Sequence, residues 1–256
     1  MRILILGDVI GKPGREHLRE RLFKFRSEKN IDFCIANGEN SSTANGISLN
    51  SLRDLYNCGV DAVTTGNHCF RKIRELNNIF NGNIPVVRPA NFPDDKPGKG
   101  YTVVETPVGN IAVINVMGRI YMNPIDCPFC AVDEAIEKVK GEADIIIVDF
   151  HAEATSEKLA MLCHLDGRVT ALVGTHTHVQ TADERVSENG TAYITDLGMT
   201  GPIDSILGVK KEIIYTRIAH YGSDRFENAE GPCSINGVII ETDDSGKAIS
   251  IERVNE

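Results

Sequence analysis

The sequence predicts an α/β fold: two mixed β-sheets packed as a sandwich and flanked by helices. Two observations carry this expectation. Short apolar, β-branched runs alternate with helix-periodic segments three times before residue 81, the pattern of a largely parallel sheet with crossover helices. Beyond residue 100, paired runs separated by turn formers read as β-hairpins, which adds antiparallel strands and makes the sheets mixed.

The elements follow in order. Arg2 to Leu6 is a first strand, stopped by Gly7-Asp8, and Gly11-Lys12-Pro13-Gly14 is rich in turn formers and reads as a loop. Glu16 to Lys29 repeats Leu18, Leu22, Phe23 and Phe25 at roughly helical spacing. Ile31 to Ala36 is a strand ending at Asn37-Gly38-Glu39-Asn40. Leu49 to Tyr56 is a helix with Leu49, Leu52, Leu55 and Tyr56 on one face. Ala62 to Thr65 is a strand ending at Gly66-Asn67-His68, and Arg71 to Phe80 is a helix facing inward through Ile73, Leu76 and Phe80. Pro85 to Arg88 reads as a further short strand. Tyr101 to Glu105 and Ile111 to Val116 flank a turn and form a hairpin, and Ala131 to Lys140 is helical. Ile145 to Val148 is a buried strand ending at Asp149-Phe150-His151, followed by a helix over Ser156 to Leu165. Val169 to Val173 ends at Gly174-Thr175-His176-Thr177-His178, and Thr191 to Thr195 ends at Asp196 in a loop running to Pro202. Lys210 to Ala219 fits helix or strand. Val238 to Glu241 and Ala248 to Val254 close the chain as a second hairpin. With no Ser/Gly linker, low-complexity stretch or internal repeat, residues 1–256 read as a single domain.

Composition narrows the class. Hydrophobic residues make up 41% and charged residues 25% of the 256, as in ordinary soluble globular proteins. With 27 Lys and Arg against 36 Asp and Glu the net charge is −9, which argues against strong duplex nucleic-acid binding, since that requires phosphate neutralisation. The absence of an apolar run of roughly 20 residues argues against a membrane span, and the short apolar start does not resemble a signal peptide. Seven cysteines, an odd number, suit free thiols in a reducing cytoplasm. The isolated Cys127-Pro128-Phe129-Cys130 reads as two ordinary thiols near a turn.

The chemistry gathers at strand ends. Asp8, Glu39-Asn40, Asn67-His68, His151, and His176 with His178 each lie just beyond a strand's carboxyl end, the edge at which open α/β sheets bind ligands. Each residue alone fits a bland role: Asp8 as a cap, Glu39 as a surface charge, the asparagines as turn formers, the histidine pair as loop residues bonded to backbone. Jointly they offer carboxylate, amide and imidazole donors that suit a pair of borderline ions such as iron, manganese or zinc. Two such ions sharing a carboxylate sit about 3.5–4 Å apart and clamp the attacking and leaving oxygens of an in-line displacement.

These motifs resemble the calcineurin-like metallophosphoesterases, and most closely their YmdB-like branch. The residues that carry the likeness are Gly7 to Arg15, Asn37-Gly38-Glu39-Asn40, Gly66-Asn67-His68, Asp149 to Lys158 and Gly174 to Asp183. The resemblance runs from residue 1 through at least Pro202. It departs from the wider superfamily where Ile10 stands in place of a histidine and Glu39 in place of the bridging aspartate; both departures are features of the branch. The resemblance implies a two-sheet sandwich and a binuclear centre. One metal would be held by Asp8, Glu39, Asn40 and His178, the other by Glu39, Asn67, His151 and His176. A metal-bridging hydroxide would attack, with His68 as general acid. It also implies phosphodiesterase action on cyclic nucleotides, 2′,3′-cyclic ones foremost, with iron the first expectation for both ions and manganese or zinc the alternatives.

Competing readings are a metal-dependent phosphomonoesterase, an amidohydrolase, and a regulatory protein that binds a nucleotide or RNA partner. The amidohydrolase is disfavoured because its His-x-His pair stands near the start of the chain. A homo-oligomer is compatible with the sequence. Lys12 and Arg15 are candidates for phosphate contact and Arg88 and Asn91 for pocket lining. Glu153, Thr155 and Asp196 are candidates for supporting the centre, whereas His17, His164 and His220 read as packing or surface histidines.

Overall fold

The computed structural model describes residues 1–256 with the exception of Ala44. The elements are β1 (Arg2–Val9), α1 (Gly11–Lys29), β2 (Phe33–Asn37), α2 (Leu49–Asn57), β3 (Ala62–Thr64), α3 (Leu76–Phe80), β4 (Tyr101–Thr106), β5 (Gly109–Met117), α4 (Pro128–Val139), β6 (Ile145–His151), α5 (Thr155–Leu165), β7 (Ala171–Thr175), β8 (Arg185–Val186), β9 (Ala192–Ile194), β10 (Met199–Pro202), α6 (Lys211–His220), β11 (Cys233–Ser234), β12 (Asn236–Thr242) and β13 (Ala248–Asn255).

Strand periodicity sorts the side chains into layers. Successive residues of a strand face opposite ways. On β1, Ile3 and Ile5 join Phe33, Ile35, Ile111, Val113, Ile145, Ile147, Ala171 and Val173 in the layer between the sheets. Leu4 and Leu6 point outward to Leu18, Leu22 and Phe25 of α1 and Leu52 and Leu55 of α2. On β6, Val148 and Phe150 point away from the sandwich toward Val132 and Ile136 of α4 and Met161 and Leu165 of α5. The result is the expected helix–sheet–sheet–helix stack.

One sheet runs β3-β2-β1 in parallel, with antiparallel β12 and then β13 along the other side of β1. At its carboxyl end β1 also pairs in parallel with β10, through Asp8↔Met199 and Val9↔Thr200. The second sheet has the order β4-β5-β6-β7-β9-β8, with β5, β6, β7 and β9 parallel and both edges antiparallel. Parallel strands from both sheets therefore deliver their carboxyl ends to one rim.

Several elements depart from the sequence expectation. The turn-rich Gly11-Lys12-Pro13-Gly14 is the first turn of α1. Pro13 is tolerated there because first-turn amides have no intrahelical acceptor. Gly11 sits at φ +52, where an added Cβ would strike the Asn228 side chain. The helix expected over Arg71 to Phe80 is reduced to a 3-10 turn, Ile73–Glu75, and the short α3. Residues 67–72 turn instead to carry Asn67 and His68 into the rim, with Cys69 and Arg71 amides bonding back to Gly66 and His68 carbonyls, and Ile73 is left 77% exposed. Phe23 and Tyr56, members of the apolar patterns of α1 and α2, are 60% and 51% exposed. Pro85 to Arg88 makes only a bridge, Val63↔Val86, and the loop expected before Pro202 is β10. The ambiguous segment after Lys210 is α6, which buries none of its residues. No helix is long and apolar enough to cross a membrane among the described residues.

Candidate metal centre

Period two on β6 puts Asp149 and His151 on the same face, toward the first sheet. Asp149, fully buried, accepts hydrogen bonds from Asn37 Nδ2 at 3.2 Å, from Thr64 Oγ1, and from Thr175 Oγ1 at 2.7 Å. It ties β2, β3 and β7 to β6. Because the Thr175 hydroxyl spends its one proton on Asp149, it accepts from His151 Nδ1, 2.9 Å away. His151 Nε2 then points into the rim, 3.3 Å from Glu39 Oε1.

The same arrangement recurs at the other two rim imidazoles. His176 turns Nε2 outward to Glu153 Oε2 at 3.2 Å and Nδ1 inward, 3.1 Å from His151 Nε2. His178 donates from Nδ1 to the Leu207 carbonyl at 3.2 Å, and its Nε2 lies 3.5 Å from Asp8 Oδ1. Each outer ring nitrogen has an acceptor and each inner one faces the others, the tautomer pattern of metal-binding histidines.

The carboxylates and amides complete two overlapping groups that share Glu39. Asn40 Nδ2 lies 3.3 Å from Asp8 Oδ1, 3.1 Å from Glu39 Oε1 and 3.2 Å from His178 Nε2. Glu39 Oε1 is 3.3 Å from His151 Nε2, which is 2.9 Å from Asn67 Oδ1. Donor atoms of Glu39, His151 and His176 all fall within 4.8 Å of one another. His68 stands at the edge: its backbone N–H donates to Glu39 Oε2 at 2.9 Å, and its Nδ1 meets Asn40 Oδ1 at 3.0 Å. Asp8, Glu39, Asn40 and His151 form a buried floor, while His68, His176 and His178 keep part of their rings exposed.

Electrostatics show what this pocket lacks. Asp8 and Glu39 are fully buried, and among the described residues only histidines form ion pairs with them. Burial alone raises a carboxylate's pKa; here His178 beside Asp8, and His151 and His68 beside Glu39, outweigh it and hold both carboxyls below their ordinary values. Conversely, burial would lower His151, but Glu39 lifts it to about 9. Burial and the adjacent His151 push His176 down to about 4. Without a metal the charge of two buried carboxylates is met by protons on imidazoles. A divalent cation would take the place of those protons, and the donor set fits it. Asn40 fits with one change: its amide must turn over to offer Oδ1 inward.

The backbone holding the pair is strained. His176 has φ +102 and His178 φ +64, positions that cost of order 1–3 kcal/mol each for a non-glycine residue. The loop is pinned by Asp8 Oδ2, accepting from the His176 amide at 3.2 Å, and by Asp196 Oδ2, accepting from the Thr177 amide at 3.1 Å. Asp196 is in turn paired with the buried Lys158 at 2.8 Å, and Lys158 Nζ also donates to the Thr175 carbonyl. Gly66 leaves the floor its space: a Cβ there would lie 2.4 Å from both Glu39 Oε2 and His151 Nε2.

All eight residues singled out for the centre thus meet in one cluster. Of the supporting candidates, Glu153 and Asp196 contact it as described, and Thr155 begins α5. The phosphate candidates are otherwise engaged: Arg15 bonds Asp54 and the Ser41 carbonyl, and Lys12 pairs with Glu16 in solvent. Arg88 donates to the carbonyls of Pro89, Ala90 and Phe92, and Asn91 bonds the backbone of Met117. His164 pairs with Asp133. Sequence reading missed Asn37, Asp149, Thr175 and Lys158. The alternation Asp149-Phe150-His151 was the available signal for the first of these groupings, since it places a carboxylate and an imidazole on one strand face.

The chain is similar to known proteins over nearly its whole length. The family model described as YmdB-like protein matches residues 4–254. A Bacillus subtilis (strain 168) protein named 2′,3′-cyclic-nucleotide 2′-phosphodiesterase is 47% identical over 255 residues, covering 99% of this chain and 96% of the relative. The crystal structure of a hypothetical protein from Thermus thermophilus superimposes with a TM-score of 0.93 at 38% identity, covering 100% of this chain and 99% of that one. That of a novel phosphatase from Mycoplasma pneumoniae gives 0.93 at 35%, covering 100% and 93%.

Proposed function

The chain belongs to the YmdB-like family, and on that premise we propose that it is a metal-dependent phosphoric diester hydrolase acting on 2′,3′-cyclic nucleotides. The observation that carries the reading is the rim itself. Three imidazoles turn their free nitrogens toward two buried carboxylates that have no lysine or arginine partner among the described residues. The substrate class is supported by the name of the Bacillus subtilis relative.

In this reading Asp8, Glu39, Asn40 and His178 hold one metal ion and Glu39, Asn67, His151 and His176 the second, with iron foremost and manganese or zinc able to substitute. The ions would supply Lewis acidity toward the phosphoryl oxygens and lower the pKa of the water that attacks phosphorus. The protein's own part is to orient and to move one proton. Glu39 fixes the His68 backbone. Once Asn40 turns Oδ1 inward, its Nδ2 donates to His68 Nδ1, which places the ring's remaining proton on Nε2. From the half-open edge that proton passes to the departing ribose oxygen, a transfer that contributes about 10²–10⁴-fold. The strained His176–His178 loop keeps two donors in place before substrate arrives.

The test is product analysis. Purified protein with manganese should open 2′,3′-cyclic AMP to a 3′-nucleotide and stop there. Release of inorganic phosphate from 3′-AMP, with the cyclic diester untouched, would replace the diesterase by a monoesterase on the same centre.

A further inference from the structure

β5, α4 and β6 form a parallel βαβ unit, and Cys127-Pro128-Phe129-Cys130 sits where the chain from β5 enters α4. From the sequence these read as two ordinary thiols near a turn. Cys127 is the N-cap, Pro128 occupies the first helical position, and Cys130 lies one turn on, where residues three apart are neighbours. Cys127 is half-buried and Cys130 exposed, whereas Cys34, Cys58 and Cys69 are buried. The Cys127 sulfur lies at the amide end of α4, without a side-chain cap hydrogen bond to the helix backbone. Arg119 Nη2 approaches it at 3.8 Å.

The Arg119 guanidinium and the first turn of α4 favour a thiolate on Cys127. The Cys130 amide is the largest influence, and it holds the thiol below its ordinary range; Cys130 is raised by its neighbour. The positive end of the α4 dipole acts in the same direction. A metal is a poor alternative: two thiols cannot close a tetrahedral zinc site, and among the described residues the one cluster of three or more His, Cys, Asp and Glu donors is that of Glu39, His151 and His176.

We propose that Cys127 and Cys130 are a redox-active dithiol that exchanges with low-molecular-weight disulfides, Cys127 as the attacking sulfur and Cys130 as the resolving one. Cys127 Sγ attacks one sulfur of RS–SR; that S–S bond breaks, RS⁻ leaves, and a mixed disulfide forms on Cys127. Cys130 Sγ then attacks Cys127 Sγ and expels the second RS⁻. The two protons given up by the cysteines end on the two leaving thiolates. The pair is oxidised by two electrons and RS–SR is reduced to 2 RSH.

The experiment uses the full chain, reduced, then held in glutathione buffers of fixed ratio, quenched with acid and mapped by mass spectrometry. Wild type should gain an internal Cys127–Cys130 disulfide as the buffer becomes more oxidising. C130S should stop at a glutathione adduct on Cys127, and C127S should leave Cys130 largely free over the same interval. With iodoacetamide at pH 7, Cys127 should react about tenfold faster than the exposed Cys163. Alkylation of Cys127 no faster than Cys163, or no internal disulfide at any ratio, would overturn the proposal. So would glutathione spread equally over Cys127, Cys130 and Cys163. Cys130 is exposed and Cys127 half-buried, outside the hydrophobic core, and neither readout depends on the metal centre.

Discussion

The proposed roles divide sharply between residues that hold metal and the one that moves a proton. His68 touches the centre through its backbone N–H, through Asn40 and through Nδ1 beside Glu39 Oε1, and in the proposed reading it holds no metal, so His68→Ala should lower turnover about 10²–10⁴-fold with metal content unchanged. Loss of metal in parallel would make His68 part of the metal-holding set. Gly66→Ala asks a different question. A methyl group 2.4 Å from Glu39 Oε2 and His151 Nε2 must displace the floor, so that variant should lose metal and activity together. Retention of both would mean that the loop after β3 yields more easily than its packing implies. At this scale the donors were legible because polar residues at successive strand ends are unusual. The residues behind them were not. Thr175 acts through a single hydroxyl that accepts from one side and donates to the other, and nothing in its sequence position distinguishes it from a strand-end threonine.

Elements matter through what pins them. The loop after β7 carries two residues with positive φ, and the pair Lys158–Asp196 joins α5 to that loop from below. Removing the lysine leaves Asp196 buried and unpaired, a change worth roughly 3–5 kcal/mol. Lys158→Met should therefore lower Tm by roughly ten degrees and weaken retention of the metal held by His176. An unchanged Tm would show that Asp196 finds another partner. Strands and long helices were readable from their apolar period, because β1, β2, β6 and β7 are buried on both faces and α1 and α2 on one. The misread elements are set by constraints other than an apolar period. The segment from Asn67 to Phe80 is shaped by the need to deliver Asn67 and His68 rather than by Ile73. β10 exists because the carboxyl end of β1, beyond the reach of β12, has an open side to pair with.

For the whole molecule, the two sheets meet through an apolar layer and through the polar tie of Asp149 to Asn37 and Thr64, and the rim closes over both. In the proposed reading a cation bound there would link the sheets and favour the folded state alone. At a free concentration 100 times Kd it adds about 2.7 kcal/mol, so chelation should lower Tm by roughly 5–10 °C. Re-addition of manganese should restore it. An identical melting curve with and without chelator would mean that no cation sits between the sheets. The sandwich as a whole was legible because both hairpins and the parallel runs announce themselves. How the two sheets face one another was not, since it depends on buried pairings between distant residues. The most direct test of the account is metal content and 2′,3′-cyclic AMP hydrolysis, measured on the same samples of wild type and Asp8→Ala. The account predicts two bound metal ions and turnover in wild type, with both reduced together in the variant. Turnover that survives the loss of Asp8 with metal content unchanged would contradict it.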